Sequence, residues 1–220
     1  MVDQRLGPMD GISRTVLSDQ VKRYLLDAIE RGELQPGERL VESQLARQLR
    51  ISQAPVREAI RDLVSLGFLE REPHKGAVVR SLTDKDMQEI HSLRAVLDAL
   101  AAEQAAQKVT DQDLAELRSI MEKMIQAAQA GDYLAAARYD RRFHLQIVLL
   151  SGNTLLQRIY DNLQLGQYIL ITMQRTPISL EELAARHQAV IEALATRDPE
   201  IAKRAVIQHL EEVQGGTAEG

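Results

Sequence analysis

The chain has 220 residues, 45% of them apolar and 3% aromatic, with no Cys, no Trp and a formal net charge of −5. That length allows one or two domains, the missing cysteines exclude disulfides and thiolate metal sites, and the acidic balance excludes a uniformly basic nucleic-acid binder. The charge is unevenly spread, however: the first 80 residues hold 13 basic and 12 acidic side chains and the remainder 14 and 20, so the front part can still present a local basic face. Apolar runs such as "IVLL" and "YILITM" are too short to span a bilayer. The opening "MVDQRLGPMDG" lacks the basic flank and apolar core of a secretory signal. A cytoplasmic protein with no membrane contact is expected.

Residues 1–17 carry no strong pattern and are expected to be a flexible N-terminus. Ser18 is expected to cap a first helix, in which Val21, Tyr24, Leu25, Ala28 and Ile29 recur at helical spacing. Gly32 reads as its stop and "QPGE" as a turn. A short helix follows over Glu42–Leu49. Ser52 is expected to cap the next, with Pro55 in its first turn, where a missing N–H costs nothing. Val56, Ala59, Ile60, Leu63 and Leu66 form its apolar stripe and Gly67 its end. "FLERE" and "AVVRSL" read as two strands around "PHKG", a hairpin in which Gly76 tolerates positive φ.

After Leu82 the strand patterns cease. Thr83 is expected to cap a long helix through "DKDMQEIHSLRAVLDALAAEQAAQK", with four or five more amphipathic helices punctuated by "VTDQD", "AGD", "SGN", "RTPIS" and "TRDPE". The fold class expected is mainly α: an N-terminal winged helix-turn-helix over 18–81 and an antiparallel all-helical bundle over 82–214, with a disordered tail over 215–220.

Three short helices and a hairpin make a winged helix-turn-helix whose recognition helix begins at Gln53. Gln53, Ala54 and Arg57 stand at its outward N-terminal end, where such helices meet base edges. Arginine pairs bidentately with guanine and glutamine with adenine. Arg47, Arg50, Arg61 and Lys75 are candidates to meet phosphates, and Ser52 and Gly76 of the turn and wing are further DNA-binding candidates, with His74 at the wing tip meeting either DNA or only solvent. The competing reading is a solvated helix face with scattered arginines.

The stretch "LVESQLARQLRISQAPVREAIRDLVSLGFLEREPHKGAVV" resembles the DNA-binding domain of the GntR family of bacterial transcription regulators. The resemblance rests on Leu40-x-Glu42, Leu45-Ala46, Pro55 to Ala59, Gly67 and the wing ending in Gly76. It implies a homodimer on a near-palindromic double-stranded operator. Two departures bear on function. Arg50 stands where the family usually has Gly, so a left-handed residue there would be strained by ~1 kcal/mol. Gln53 and Ala54 stand where Arg-Thr is usual, which implies a different operator.

In the helical part, Asp140 and His144 are four residues apart in "YDRRFH" and share a helix face. His187 and His209 lie on later helices among apolar residues at helical spacing, which turns them inward. Three histidines and a carboxylate inside a bundle suit a divalent transition ion such as zinc or nickel; the competing reading is hydrogen-bonded core histidines that never meet. Here the chain resembles the FCD-type effector domain of the FadR-like GntR subfamily, through Asp140-x-x-x-His144, His187 and His209, "LRAVLDALAAEQAA", "SGNTLL" and "DPEIAKRAVIQHL". That resemblance implies a metal at these four residues and a small carboxylate effector, with Arg94 at a position that commonly faces the cavity. Asp98 replaces the usual Glu. The alternative for Arg94 is an internal ion pair with Asp98. Arg175 is a further effector candidate. His91 falls outside the pattern and is expected at the surface or packed between domains.

A ligand-responsive transcription regulator, most often a repressor, and not an enzyme, accounts for both constellations. A regulator whose effector is the ion itself and a helical-bundle metalloenzyme are the alternatives. Against the enzyme, no general base stands near "YDRRFH" and the twin Glu-x-x-His motifs of di-iron bundles are absent.

Overall fold

The computed structural model of the chain describes residues 10–30, 33–72, 76–163 and 165–215, which fall into two compact units divided between Ser81 and Leu82. The first unit contains α1 (Asp10–Glu30), β1 (Arg39–Leu40), α2 (Glu42–Gln48), α3 (Gln53–Leu66), β2 (Leu69–Glu72) and β3 (Gly76–Val79).

The core of this unit is the face that α3 turns inward. Val56, Ala59, Ile60 and Leu63 recur at helical spacing and are fully buried, each of the larger three contributing about 1.5–3 kcal/mol by leaving water. They meet α1, whose Val21, Leu25, Ala28 and Ile29 are also buried. Gly67 ends α3 in a left-handed conformation, φ 82°, where the Gly67 N–H reaches Val64 O at 3.1 Å and the Phe68 N–H reaches Leu63 O at 3.0 Å. This is the 6→1 and 5→2 closure that glycine permits. The strands form an antiparallel sheet in the order β1-β3-β2, with Leu40 opposite Ala77 and Leu69 opposite Val79.

Three expectations for this unit need correction. The first helix begins at Asp10, well before the start expected at Ser18, so Ser18 is a buried interior residue rather than a cap. Gly11 argues against helix there at about 1 kcal/mol relative to Ala, and Ser13, Thr15 and Val16 are weak helix formers too. The sheet has three strands, because Arg39–Leu40 joins the hairpin; two residues are too few to show an alternating pattern. Ser52 is the N-cap of α3 by backbone conformation, but its side chain makes no capping hydrogen bond. Gly32, His74 and Lys75 lie outside the described residues.

The second unit contains α4 (Asp84–Ala106), α5 (Asp111–Gln129), α6 (Tyr133–Leu150), α7 (Thr154–Asn162), α8 (Gly166–Arg175), α9 (Leu180–Ala185), α10 (His187–Ala195) and α11 (Pro199–Gly215). Capping chemistry sets the starts. Thr83 with Asp86 and Thr110 with Asp113 form reciprocal capping boxes, while Asp132, Asn153 and Ser179 each accept a backbone N–H of the following turn. Among the described residues seven helices follow α4, more than the four or five expected. The extra breaks, before Gly166 and at Arg186, carry no proline to announce them. α11 runs through Gly215, one residue into the stretch expected as a tail, and 216–220 lie outside the described residues. No helix among the described residues is long and apolar enough to cross a membrane.

Packing of α4 on α11 and α6, α5 on α6, and α10 on α11 encloses a core that includes Leu117, Met124, Phe143, Ile191 and Leu194. Among the described residues six Arg, Asp and His side chains are buried in this unit: Arg94, Asp98, Asp140, His144, His187 and His209.

Candidate functional site

Four helices of the second unit bring these six side chains together. Arg94 and Asp98 are one turn apart on α4, Asp140 and His144 one turn apart on α6, and His187 and His209 come from α10 and α11. The break at Arg186 makes His187 the first residue of α10. The Arg186 guanidinium holds that corner, 3.0 Å from Glu182 and 3.7 Å from Glu212 on α11. His187 is completely buried, with Nδ1 3.1 Å from Ala184 O at the end of α9.

The three imidazoles form one cluster. Ring centroids of His187 and His209 are 4.4 Å apart, and His144 is 5.4 Å from each. Each ring offers a nitrogen, and the three atoms lie within 4.8 Å of one another. Asp140 Oδ1 lies 3.3 Å from His187 Nε2 and 4.0 Å from His144 Nε2. His144 Nε2, His187 Nε2 and His209 Nδ1 are buried without a hydrogen-bond partner. Burying one such unpaired polar atom costs about 1–3 kcal/mol, so one on each of three clustered rings needs an explanation. Ring nitrogens on three imidazoles beside a carboxylate are a donor set that fits a divalent transition ion.

The electrostatics agree with that donor set. Burial, reinforced by the Arg94 charge, lowers the pKa of His144. Burial and the two neighbouring imidazoles push His209 well below its ordinary value. Both therefore stand neutral near pH 7, as ligation requires. Burial opposes ionisation of Asp140, but the Arg94 guanidinium, 3.3 Å away, opposes that and the carboxyl is held well below the usual carboxylate range; His187 Nε2, 3.3 Å from Oδ1, makes no hydrogen bond with it and keeps its lone pair for a ligand. Asp98 is also lowered: burial is outweighed by His144 and Arg94.

Arg94 connects the cluster to a cavity. Its Nε donates to Asp98 Oδ2 at 3.1 Å and its Nη2 to Asp140 Oδ2 at 3.3 Å, and the guanidinium lies 5.9 Å from the centre of the Tyr168 ring. Arg94, Asp140 and His209 share the cavity wall with His91, Tyr168 and Thr172. Facing the cavity and pairing with Asp98, which the sequence posed as alternatives, therefore hold together. His91, expected at the surface or packed between domains, is half-buried, lines the cavity and has Nδ1 3.1 Å from the Tyr168 hydroxyl. Tyr168 and Thr172 were not singled out by sequence, because nothing in "GQYILITMQR" distinguishes a wall residue from a core one. Arg175 is not brought to the site. It is exposed at the end of α8, with Nη1 2.8 Å from Asp84 Oδ1, and does not line the cavity.

In the first unit, Arg47, Arg50, Ser52, Gln53, Arg57, Arg61 and Gly76 are exposed and Ala54 is partly exposed. Arg50 adopts φ 54°, the left-handed conformation foreseen for it. Gly76 has φ 92°. Arg57 is not free: its Nε is 3.0 Å from Glu42 Oε2. The pair joins α2 to α3 and holds the guanidinium against the start of the helix.

A three-helix unit with a small antiparallel wing, joined in one chain to a helical bundle around a buried histidine cluster and cavity, defines a two-domain DNA-binding regulator of transcription. The model of the gntR family of bacterial regulatory proteins matches residues 17–79, and that of the FCD domain matches residues 89–212. The chain belongs to the GntR family, in its FCD-bearing, FadR-like branch, and its domains are those of regulators rather than of an enzyme. It is 33% identical to the "Probable D-xylose utilization operon transcriptional repressor" of Paenarthrobacter nicotinovorans, over 90% of this chain and 88% of that one. It is 32% identical to the regulator McbR of Escherichia coli strain K12, over 88% of each chain. The solved structure of Escherichia coli McbR/YncC matches with a TM-score of 0.67 at 29% identity, over 89% of this chain and 94% of that one. The gluconate operon transcriptional repressor of Bacillus licheniformis is 28% identical, over 96% of this chain and 88% of that one.

Proposed function

We propose that this regulator is a cytoplasmic homodimeric repressor whose hold on a near-palindromic operator is set by a small carboxylate bound at a metal ion. Asp140, His144, His187 and His209 would hold the ion, and zinc or nickel suits their nitrogen-rich set. The observation that carries this reading is the cluster of three buried imidazoles beside Asp140, each with a ring nitrogen within 4.8 Å of the others and each with a buried nitrogen that has no hydrogen-bond partner. Arg94, at the wall between cluster and cavity, would bind the carboxylate of the effector. A carboxylate with a neighbouring hydroxyl fits open positions on an ion, and the name of the gluconate operon relative favours starting with sugar acids.

In the first unit, Gln53, Ala54 and Arg57 would read base edges from the start of α3, while Arg47, Arg50, Ser52, Arg61 and Gly76 would meet the backbone. Effector control requires that the acid bind the DNA-competent and DNA-incompetent states with different affinity. The test is operator binding by metal-loaded and chelated protein, titrated with sugar acids and hydroxy acids. Release by acid only in the loaded form supports the reading. Release by the ion alone would make the metal the effector, and release by acid in the chelated form would remove the ion from the mechanism.

A further inference from the structure

We propose that Asp98 is a positioning residue that orients His144 toward the histidine cluster and ties it to the cavity arginine. Its Oδ2 is shared by Arg94 Nε at 3.1 Å and His144 Nδ1 at 3.3 Å. This deepens the metal reading above and rests on it.

An imidazole presents a lone pair at one nitrogen only if the proton sits on the other, and the partner of that other nitrogen decides which. An ionised carboxylate can only accept. Asp98 therefore places the proton of His144 on Nδ1 and leaves the Nε2 lone pair facing His187 and His209. His187 is fixed in the same sense by a different device, its Nδ1 lying 3.1 Å from the Ala184 carbonyl. The two devices differ in what can move them. The Ala184 carbonyl is main chain at the end of α9. Asp98 is a side chain whose oxygen is also held by Arg94, and Arg94 in turn holds Asp140 at 3.3 Å. One guanidinium at the cavity wall thus touches both a member of the cluster and the residue that orients another. An anion drawn to Arg94 must change the donors that Asp98 and Asp140 share. Metal and anion are then coupled, and by linkage the coupling is reciprocal. Asp98 is buried and belongs to no part of the DNA-binding unit, so its effect should appear in the cluster first.

The test uses the full-length protein with zinc as probe. Zinc affinity by chelator competition is compared for wild type, Asp98→Ala and Asp98→Asn, and the His144 ring nitrogens are read by NMR in the metal-free forms. Wild-type His144 should carry its proton on Nδ1. Asp98→Ala should mix the two tautomers and lose about 10–100-fold in zinc affinity, and Asp98→Asn, which keeps an acceptor oxygen, should recover part of both. A wild-type His144 protonated on Nε2 would overturn the proposal, and that measurement needs no variant to fold. Unchanged zinc affinity in Asp98→Ala would overturn it too. A wild type that binds no zinc would instead overturn the metal reading itself, a failure told apart because it appears before any substitution is made.

Discussion

Arg94 on α4 donates to Asp140 on α6 at 3.3 Å, joining residues 46 apart in sequence, and the same guanidinium holds Asp98 at 3.1 Å. One cation thus compensates two buried carboxylates. Arg94→Ala would leave both without it, and breaking a buried pair in this way costs about 3–5 kcal/mol. The metal-free variant should show that loss in denaturant unfolding. Zinc should then stabilise the variant more than the wild type, because an ion at the cluster supplies positive charge beside Asp140. Equal stabilisation of both proteins would show that the ion does not sit next to that carboxylate.

His187→Ala removes one of the three converging ring nitrogens. The variant should lose its metal on dialysis and its response to the acid, while operator affinity without acid stays within about threefold of wild type, since the DNA-contacting candidates all lie in the first unit. Metal content by elemental analysis and operator binding by fluorescence anisotropy check the two halves separately. A variant that retains one ion per chain would remove His187 from the ligand set.

The metal-free protein should weaken as pH falls from 7 toward 5. His144 and His209 have folded-state pKa values below the ordinary value, while in the unfolded chain they titrate near ~6.5. Below that pH the unfolded state binds more protons than the folded one, so stability falls with pH. Half-buried His91, lowered by burial and Arg94, adds to the same slope. Asp98 and Asp140, lowered in the folded state, stabilise above the unfolded carboxylate value near ~3.9 and lose that contribution only below it, so they add no slope in this window. Thermal unfolding of chelated protein at pH 7, 6 and 5 reads the effect, and a midpoint that does not move would contradict the burial of neutral imidazoles.

Arg50→Gly should stabilise the protein by about 1 kcal/mol, because φ 54° strains any residue with a Cβ. If Arg50 meets a phosphate, the same change weakens operator binding and lowers its salt dependence by about one charge. Gain of stability with unchanged salt dependence would assign Arg50 to the turn alone.

Arg57→Ala should reduce specific operator affinity by about 1–3 kcal/mol per half-site, the scale of one bidentate base contact. Its pairing with Glu42 at 3.0 Å is exposed and worth little to stability, so the variant should fold normally. Unchanged operator affinity would leave base reading to Gln53 and its neighbours.

Much of this was legible in the sequence because it depends on spacing within one helix. Asp140 and His144 share a face by their four-residue separation, and the apolar neighbours of His187 and His209 turn both inward. The α3 stripe and the Gly67 stop follow from local rules as well, while the left-handed Arg50 was legible only through the resemblance to a family that usually has Gly there. What escaped depends on contacts between distant segments. The bond from His144 to Asp98, the His91–Tyr168 contact and the placement of Thr172 on the cavity wall require α4, α6 and α8 to be packed first. β1 was missed because two residues carry no period. The early start of α1 and the break at Arg186 were missed because neither a proline nor a clear cap marks them. Arg175 looked inviting as a cation before a loop, yet its partner is Asp84 at the surface.

The most direct measurement is operator affinity of the full-length protein against a responding acid, made on zinc-loaded and on chelated samples in parallel. If the cluster is the platform for the effector, the acid should release the operator from the loaded protein and leave the chelated protein bound. Equal release from both samples would contradict that role and return Asp140, His144, His187 and His209 to the core as ordinary buried groups.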